Sequence, residues 1–312
     1  MKGLAPYMAH FASACRARDY TEGLRIARDA HDRCPDARAR TWYWQACMLS
    51  LLGNLEESIG VLRQGLDEGA WYNPPLMDGD HDLDPLRSMG GYREVRLECT
   101  RRQREAQAVS RPQCMVIGPA STGWEPQTVI VLHRWGDTAS AFAELWTPLV
   151  DKGWTLVVPQ SSQVCDSSSF CWDDAEKANA EVLQHVDDCF RKRGLAPDGT
   201  VIAGASQGAR LAMEIAAKTF LPWLCVIPSF PAGYDVSAFT AVPAHTRGAF
   251  VLGGHDPANA RIRSVIAALE SGGVSVRVDV MEGIGHDMPE DFMPLAEDAL
   301  RAIAQGAQAS PG

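Results

Sequence analysis

The chain has 312 residues, a length that suggests two domains, and with 46% hydrophobic and 22% charged residues it reads as a water-soluble globular protein. Its formal charge of -10 is uneven: residues 1–110 carry 15 basic and 16 acidic side chains, and the remainder carry 14 and 23. An acidic C-terminal half argues against nucleic acid and anionic membrane surfaces as partners, and no apolar run approaches the roughly 20 residues that span a bilayer.

The opening stretch, MKGLAPYMAHFASACRARDY, lacks a continuous apolar core and carries His10, Arg16 and Arg18, so no secretory leader is expected. Nine cysteines, an odd number without a CxxC pair, fit reduced thiols and a cytoplasmic location better than a disulfide framework or a zinc site. Cys165 and Cys171, close together in an expected loop, are the pair that spacing offers for redox chemistry.

Residues 4 to about 70 repeat. RDYTEGLRIARDAHDRCPD begins at Arg18 and GNLEESIGVLRQGLDEGA at Gly53, 35 residues later. The register aligns Tyr20 with Leu55, Gly23 with Ser58, Ala27 with Leu62 and Ala30 with Gly65. Small residues at helical spacing let helices pack closely, and a period near 34 announces stacked helix pairs. The segment resembles the tetratricopeptide repeat, with Trp42, Gly53 and Pro35 where that family has its tryptophan, glycine and proline; Gly65 and Ala70 depart from its alanine and proline. Trp42 and Trp44 read as helix-pair core, because they recur at helical spacing. A peptide or protein partner at this helical-repeat domain is the binding function such a region offers. A Pro/Gly-broken acidic loop and one more helix follow, and SRPQ at 110–113 marks the boundary between domains 1–110 and 111–312.

Beyond it, strands and helices alternate. Apolar runs at 114–118, 128–133, 154–158, 200–203, 223–228, 248–252 and 275–280 read as strands. Segments 138–151, 174–193, 207–219, 258–271 and 290–304 read as helices. Such alternation implies a mostly parallel, doubly wound α/β sheet covered on both faces.

The chemistry concentrates in three loops at strand ends. In VIAGASQGARLAM, Gly204-x-Ser206-x-Gly208 follows a strand and opens a helix, the context of a nucleophile elbow. Asp256 follows the strand before it in AFVLGGHDPAN, and His286 follows the last strand in VDVMEGIGHDMPED. The order Ser, Asp, His suits an α/β-hydrolase: the histidine takes the serine proton and the aspartate orients and stabilises the imidazolium. The bland alternatives are a small-residue turn at Ser206, a helix N-cap at Asp256 and a surface loop histidine at His286. His255, adjacent to Asp256, cannot easily turn back on it and is the poorer base.

The stretch VIVLHRWGDTAS resembles the LHGxGD turn of the phospholipase/carboxylesterase family, which includes acyl-protein thioesterases. GASQGA resembles that family's GFSQGG, and GIGHDMPED its GxGH segment, so the likeness runs over residues 114–305. It implies Ser206 as nucleophile, Asp256 as acid and His286 as base, with the backbone N–H groups of Trp135 and Gln207 as oxyanion donors. Arg134 stands where the family has glycine. Its guanidinium needs an anionic partner: Asp137, Asp173 or Asp174, or else a carboxylate or phosphate of the substrate. Phe170 and Trp172 in SSSFCWDD, and Phe230 in IPSFPAGYD, wall an acyl or alcohol pocket or else staple helix to sheet.

No GxGxxG, Walker lysine or HExxH motif is present, so no cofactor or metal is expected. The expectation is a serine hydrolase acting on a small-molecule ester or thioester. An acyltransferase or peptidase would use the same triad, and a binding scaffold with a vestigial hydrolase fold would use none of it.

Overall fold

Local chain chemistry starts four of the helices. Asp19, Asn73, Thr138 and Asp174 each accept a hydrogen bond from a backbone N–H three residues on, satisfying donors that a helix N-terminus leaves free. The computed structural model describes residues 4–118, 127–289 and 292–305, and the chain divides into two compact units.

The first unit comprises residues 1–110 and 164–170. Its helices are α1 (Ala5–Ala17), α2 (Tyr20–Arg33), α3 (Arg38–Leu51), α4 (Leu55–Asp67), a short α5 (Pro74–Gly79) and α6 (Gly90–Val109). Helix α3 is buried over most of its circumference and packs against both α2 and α4. The small residues of the 35-residue register make that approach possible. A Cβ at Gly23 would lie 2.6 Å from the Met48 sulfur, and one at Gly65 would lie 1.9 Å from the Tyr72 hydroxyl. Ser58 is buried and donates to the Ala46 carbonyl at 2.7 Å. Trp42 lies in the core, and Trp44 stacks on Phe11 with ring centroids 4.3 Å apart.

The second unit comprises residues 111–163 and 171–312. Its sheet is built from β1 (Gln113–Ile117), β2 (Gln127–Leu132), β3 (Trp154–Gln160), then, beyond a small two-stranded hairpin β4 (Gln163–Asp166) and β5 (Ser169–Cys171), β6 (Thr200–Ala205), β7 (Trp223–Val226), β8 (Arg247–Gly253) and β9 (Ser275–Met281). Among the described residues the main sheet has seven strands in the order β1-β3-β2-β6-β7-β8-β9. The β1–β3 pair is antiparallel and the others are parallel. Alternate residues of the strands face two cores. Ile130, Val157, Ile202 and Phe250 pack with α8 (Ala175–Arg193), α9 (Gln207–Thr219) and α10 (Asn259–Ser271). Val129, Leu156, Val201 and Val251 pack with α7 (Ala139–Trp146) and α11 (Met293–Gln305). This is the doubly wound α/β arrangement.

Three local expectations change. The helix expected over 138–151 stops at Trp146 and continues as a 3₁₀ segment, Thr147–Lys152; Pro148 has no N–H to donate and its ring crowds the preceding turn. Strands β4 and β5, at four and three residues, fall in what reads as a loop. Residues 290 and 291 of the expected last helix lie outside the described residues, and the described helix starts at Met293.

Candidate active site

Ser206 stands between the end of β6 and the start of α9 with φ 53° and ψ -117°, a conformation costing a non-glycine residue about 1–3 kcal/mol. The surrounding backbone holds it there. Its N–H donates to Val226 O at 3.0 Å, and its carbonyl accepts from Ala209 and Ser229 at 3.1 Å each. Both flanking glycines are sterically required. A Cβ at Gly204 would lie 2.4 Å from Gly208 O, and one at Gly208 would lie 2.2 Å from Leu132 O. The second contact also seats the first turn of α9 against the end of β2, beside the segment that bears Arg134 and Trp135.

The loops after β8 and β9 meet backbone to backbone. His255 N–H donates to Ile284 O at 2.8 Å, and a Cβ at Gly253 would lie 2.1 Å from Gly285 O. This apposition brings Asp256 to His286. His286 Nδ1 lies 2.6 Å from Asp256 Oδ2, and His286 Nε2 lies 2.8 Å from Ser206 Oγ. The Asp256 side chain is 1% exposed, and its Oδ1 accepts the Ala258 N–H at 2.8 Å, so both carboxylate oxygens are engaged. With Nδ1–H directed at the carboxylate, the lone pair of Nε2 faces the hydroxyl. The sequence thus names three residues, 50 and 30 positions apart, that the fold places in one hydrogen-bonded line.

Gln207 begins α9. Its side-chain Oε1 accepts the Trp172 N–H at 2.7 Å and its Nε2 donates to Asp173 at 2.8 Å. Trp135 is half-buried in the turn after β2. Among the described residues, neither the Gln207 nor the Trp135 backbone N–H has an acceptor. Arg134 bonds through Nε and Nη2 to Asp137 Oδ2, at 3.2 and 3.0 Å, with side chains only 19% and 14% exposed. Asp137 Oδ1 in turn accepts the Thr138 N–H. The anionic partner of Arg134 is therefore within its own turn.

Each of the three aromatic residues, read from the sequence as pocket wall or staple, has its own packing environment. Trp172 is wholly buried, and its indole N–H donates to the His133 carbonyl at 2.9 Å. Phe230 is 3% exposed and packs edge-on against Tyr234 and Phe239. Both side chains are buried, which agrees with the alternative in which they staple helix to sheet. Phe170 is half-buried and packs with the core of the helical unit.

One residue escapes the sequence reading: His133, the last position before the Arg134 turn. It is fully buried, and desolvation pushes its pKa down to about 4. Nδ1–H donates to Arg134 O at 2.9 Å, Nε2 accepts from Gln160 Nε2 at 3.1 Å, and the ring stacks on Trp172 at 4.6 Å. The quoted LHRWGD motif contains it, but only burial distinguishes its part from that of His286.

One described group has the spacing to hold a metal: Cys47, Asp80 and Asp82 of the helical unit, with donor atoms within 4.8 Å of one another. Hydrogen bonds already occupy it, since Tyr43 and Cys47 both donate to Asp80 Oδ2, at 2.9 and 3.6 Å.

Comparison with known proteins agrees with this architecture. Residues 12–107 match the family described as "A/B hydrolase-like, N-terminal domain"; the tetratricopeptide likeness rests on the sequence period alone. A search of curated proteins finds no match. Among solved structures, an uncharacterised protein from Bacillus cereus ATCC 10987 matches over 98% of this chain and 99% of its own, at 20% identity and a TM-score of 0.53. Esterase PE8 matches 62% of this chain and 99% of its own, at 20% identity and a TM-score of 0.53. TT1662 from Thermus thermophilus matches 64% and 100%, at 18% identity and a TM-score of 0.50. The second unit has the α/β-hydrolase fold, and the chain joins it to an N-terminal all-α unit. No described helix is long and apolar enough to cross a membrane.

Proposed function

We propose that the protein is a serine hydrolase that cleaves a small-molecule carboxylic ester or thioester through an acyl-enzyme on Ser206. The observation that carries this reading is the line from Ser206 Oγ through His286 to Asp256, with the serine held at positive φ. His286 Nε2 takes the hydroxyl proton as Oγ attacks the carbonyl carbon, and the buried Asp256 carboxylate stabilises the imidazolium that forms. The developing oxyanion accepts from the N–H groups of Gln207 and Trp135; the first sits at a helix N-terminus, where the dipole favours negative charge. The imidazolium then protonates the departing alcohol or thiol, and a water activated by the same nitrogen releases the acid. Residues 111–312 hold all of this chemistry. That an esterase shares the fold supports the reading.

The test is reaction of the full chain with a fluorophosphonate probe, together with turnover of an acyl-ester and acyl-thioester series. Labelling and turnover that vanish in Ser206→Ala support the assignment. Folded wild-type protein that neither labels nor turns over any ester sinks it and favours a binding scaffold.

A further inference from the structure

The main sheet ends on β9, which among the described residues pairs with β8 alone. An edge strand presents a row of free N–H and C=O groups, and natural proteins blunt such edges with lysine, proline or a bulge. Strand β9, SVRVDVM over Ser275–Met281, carries no lysine, proline or glycine. Two of its valines instead stand open to solvent, Val278 at 42% and Val280 at 47% exposed. The backbone shows which groups are free. The Gly254 N–H donates to Met281 O at 2.9 Å, so the Met281 carbonyl faces β8. Backbone groups turn to alternate sides along a strand, so those of Arg277 and Asp279 also face β8, whereas those of Val276, Val278 and Val280 face outward.

The strand is also complementary to itself. Counting outward from Val278, Arg277 answers Asp279 and Val276 answers Val280. Set two such strands antiparallel about a two-fold axis through Val278. Each outward-facing valine then meets a valine, and the two exchange both backbone bonds. Arg277 lies opposite the second copy's Asp279 at the intervening pairs, where opposing side chains come closest. Moving the axis one residue either way sets Arg277 against its own copy or Asp279 against its own copy, and like charges directly opposite are destabilising. The charges are held in place for this. Within one chain Arg277 grips Asp279 through Nε at 2.6 Å and Nη2 at 3.1 Å, and both side chains stay part-exposed. Arg277 Nη1 also donates to Asp298 O on α11 at 3.1 Å, which fixes the guanidinium on that face.

We propose that β9 is a dimerisation edge: two copies of this chain join antiparallel through Val276, Val278 and Val280, and two seven-stranded sheets become one continuous sheet. The occupant is a second copy because a two-fold interface uses the same patch on both sides, so the patch must complement itself. Charge and hydrogen-bonding pattern in β9 meet that condition in one register. A strand from a different protein would require no symmetry about Val278. Each copy closes the other's edge, so association through β9 stops at the dimer. This surface is independent of the hydrolase reading.

The test is sedimentation equilibrium on the full chain at micromolar concentration, where wild type is expected at twice the mass of one chain. Arg277→Asp and Asp279→Arg each set like charges opposite one another in both halves of the interface, and each should weaken dimerisation by about 10-fold or more. An equimolar mixture of the two variants should recover the dimer, because every charge then faces its opposite. Circular dichroism checks that each variant is folded. Wild-type hydrogen exchange reads the same edge without any variant: protection of the β9 peptide should fall as the dimer is diluted to monomer. A wild-type monomer would overturn the proposal, leaving the edge open or held by another protein. So would a dimer that both single variants leave intact, a mixture of folded variants that stays monomeric, or β9 exchange that does not depend on dilution.

Discussion

The turn after β2 and the loop after β9 each carry one histidine just beyond a parallel strand, in opposite electrical surroundings. His286 is 36% exposed at its side chain and has a carboxylate on Nδ1 and a hydroxyl on Nε2. His133 is fully buried, has a carbonyl on Nδ1 and an amide donor on Nε2, and is pushed down to about 4. A histidine that must carry a proton during a reaction needs a buried anion behind it and an open face before it. One that must hold a turn in place needs neither, and a low dielectric around it keeps it neutral. Both are histidines beyond the C-terminal end of a parallel strand, and their surroundings differ.

The largest effect should come from the His286 side of this contrast. Ser206→Ala, His286→Ala and Asp256→Asn are each expected to lower kcat by on the order of 10³–10⁶ while circular dichroism stays native, because the three act as a unit. Near wild-type turnover in His286→Ala, measured on a chromogenic ester, would move the base elsewhere and dissolve the comparison.

The His133 side is expected to appear in stability. Its pKa of about 4 in the folded chain lies below the roughly 6.5 of a free imidazole. Above that ordinary value both states are neutral and the contribution is complete. As pH falls from about 6.5 to 4 only the unfolded chain takes up the proton, so stability falls by about 3 kcal/mol and then levels off. Urea unfolding of wild type and His133→Asn across this window isolates the contribution: the asparagine chain should lack that part of the slope. Parallel slopes would mean that His133 is not held neutral by burial.

A smaller effect is expected at Arg134. Replacing it with glycine leaves Asp137 mostly buried and without its cation, for a loss of about 2 kcal/mol of stability. Because the guanidinium is already paired, kcat/KM should change by the same factor on neutral and anionic esters. A loss confined to anionic esters would revive the substrate clamp that the sequence also offers.

The smallest expected effect sharpens how the buried histidine acts. Trp172→Phe keeps a ring against His133 but removes the indole N–H from the His133 carbonyl. About 10-fold lower kcat with unchanged KM, near the 1.4 kcal/mol of one hydrogen bond, would mark a contact that positions the oxyanion turn. Unchanged kcat with lower thermal stability would leave Trp172 a packing residue only.

Much of the hydrolase unit can be read along the chain. The run-and-turn pattern locates the main strands to within a few residues, and GASQGA, GGHDP and GIGH occur in the order the fold requires. Even Arg134 and Asp137 can be paired on spacing, since three residues bring them together in one turn. The hairpin β4–β5 escapes because strands of four and three residues are too short to show a period. For Trp172 and Phe230 the sequence leaves two alternatives, pocket wall or staple, because an aromatic residue in a loop looks alike whether it faces substrate or core.

By itself, then, the sequence determines where strands give way to helices, which small residues permit close approach, and which serine, aspartate and histidine stand at strand ends. Those are consequences of backbone sterics and side-chain period, which act over a few neighbouring residues. The tertiary structure alone decides that the β8 and β9 loops touch so that Asp256 reaches His286, and that His133 is sealed from water. Burial and charge environment are set by which distant segments lie side by side. That depends on the order β1-β3-β2-β6-β7-β8-β9 and the helices laid over it, a property of the whole packed sheet that no local stretch encodes.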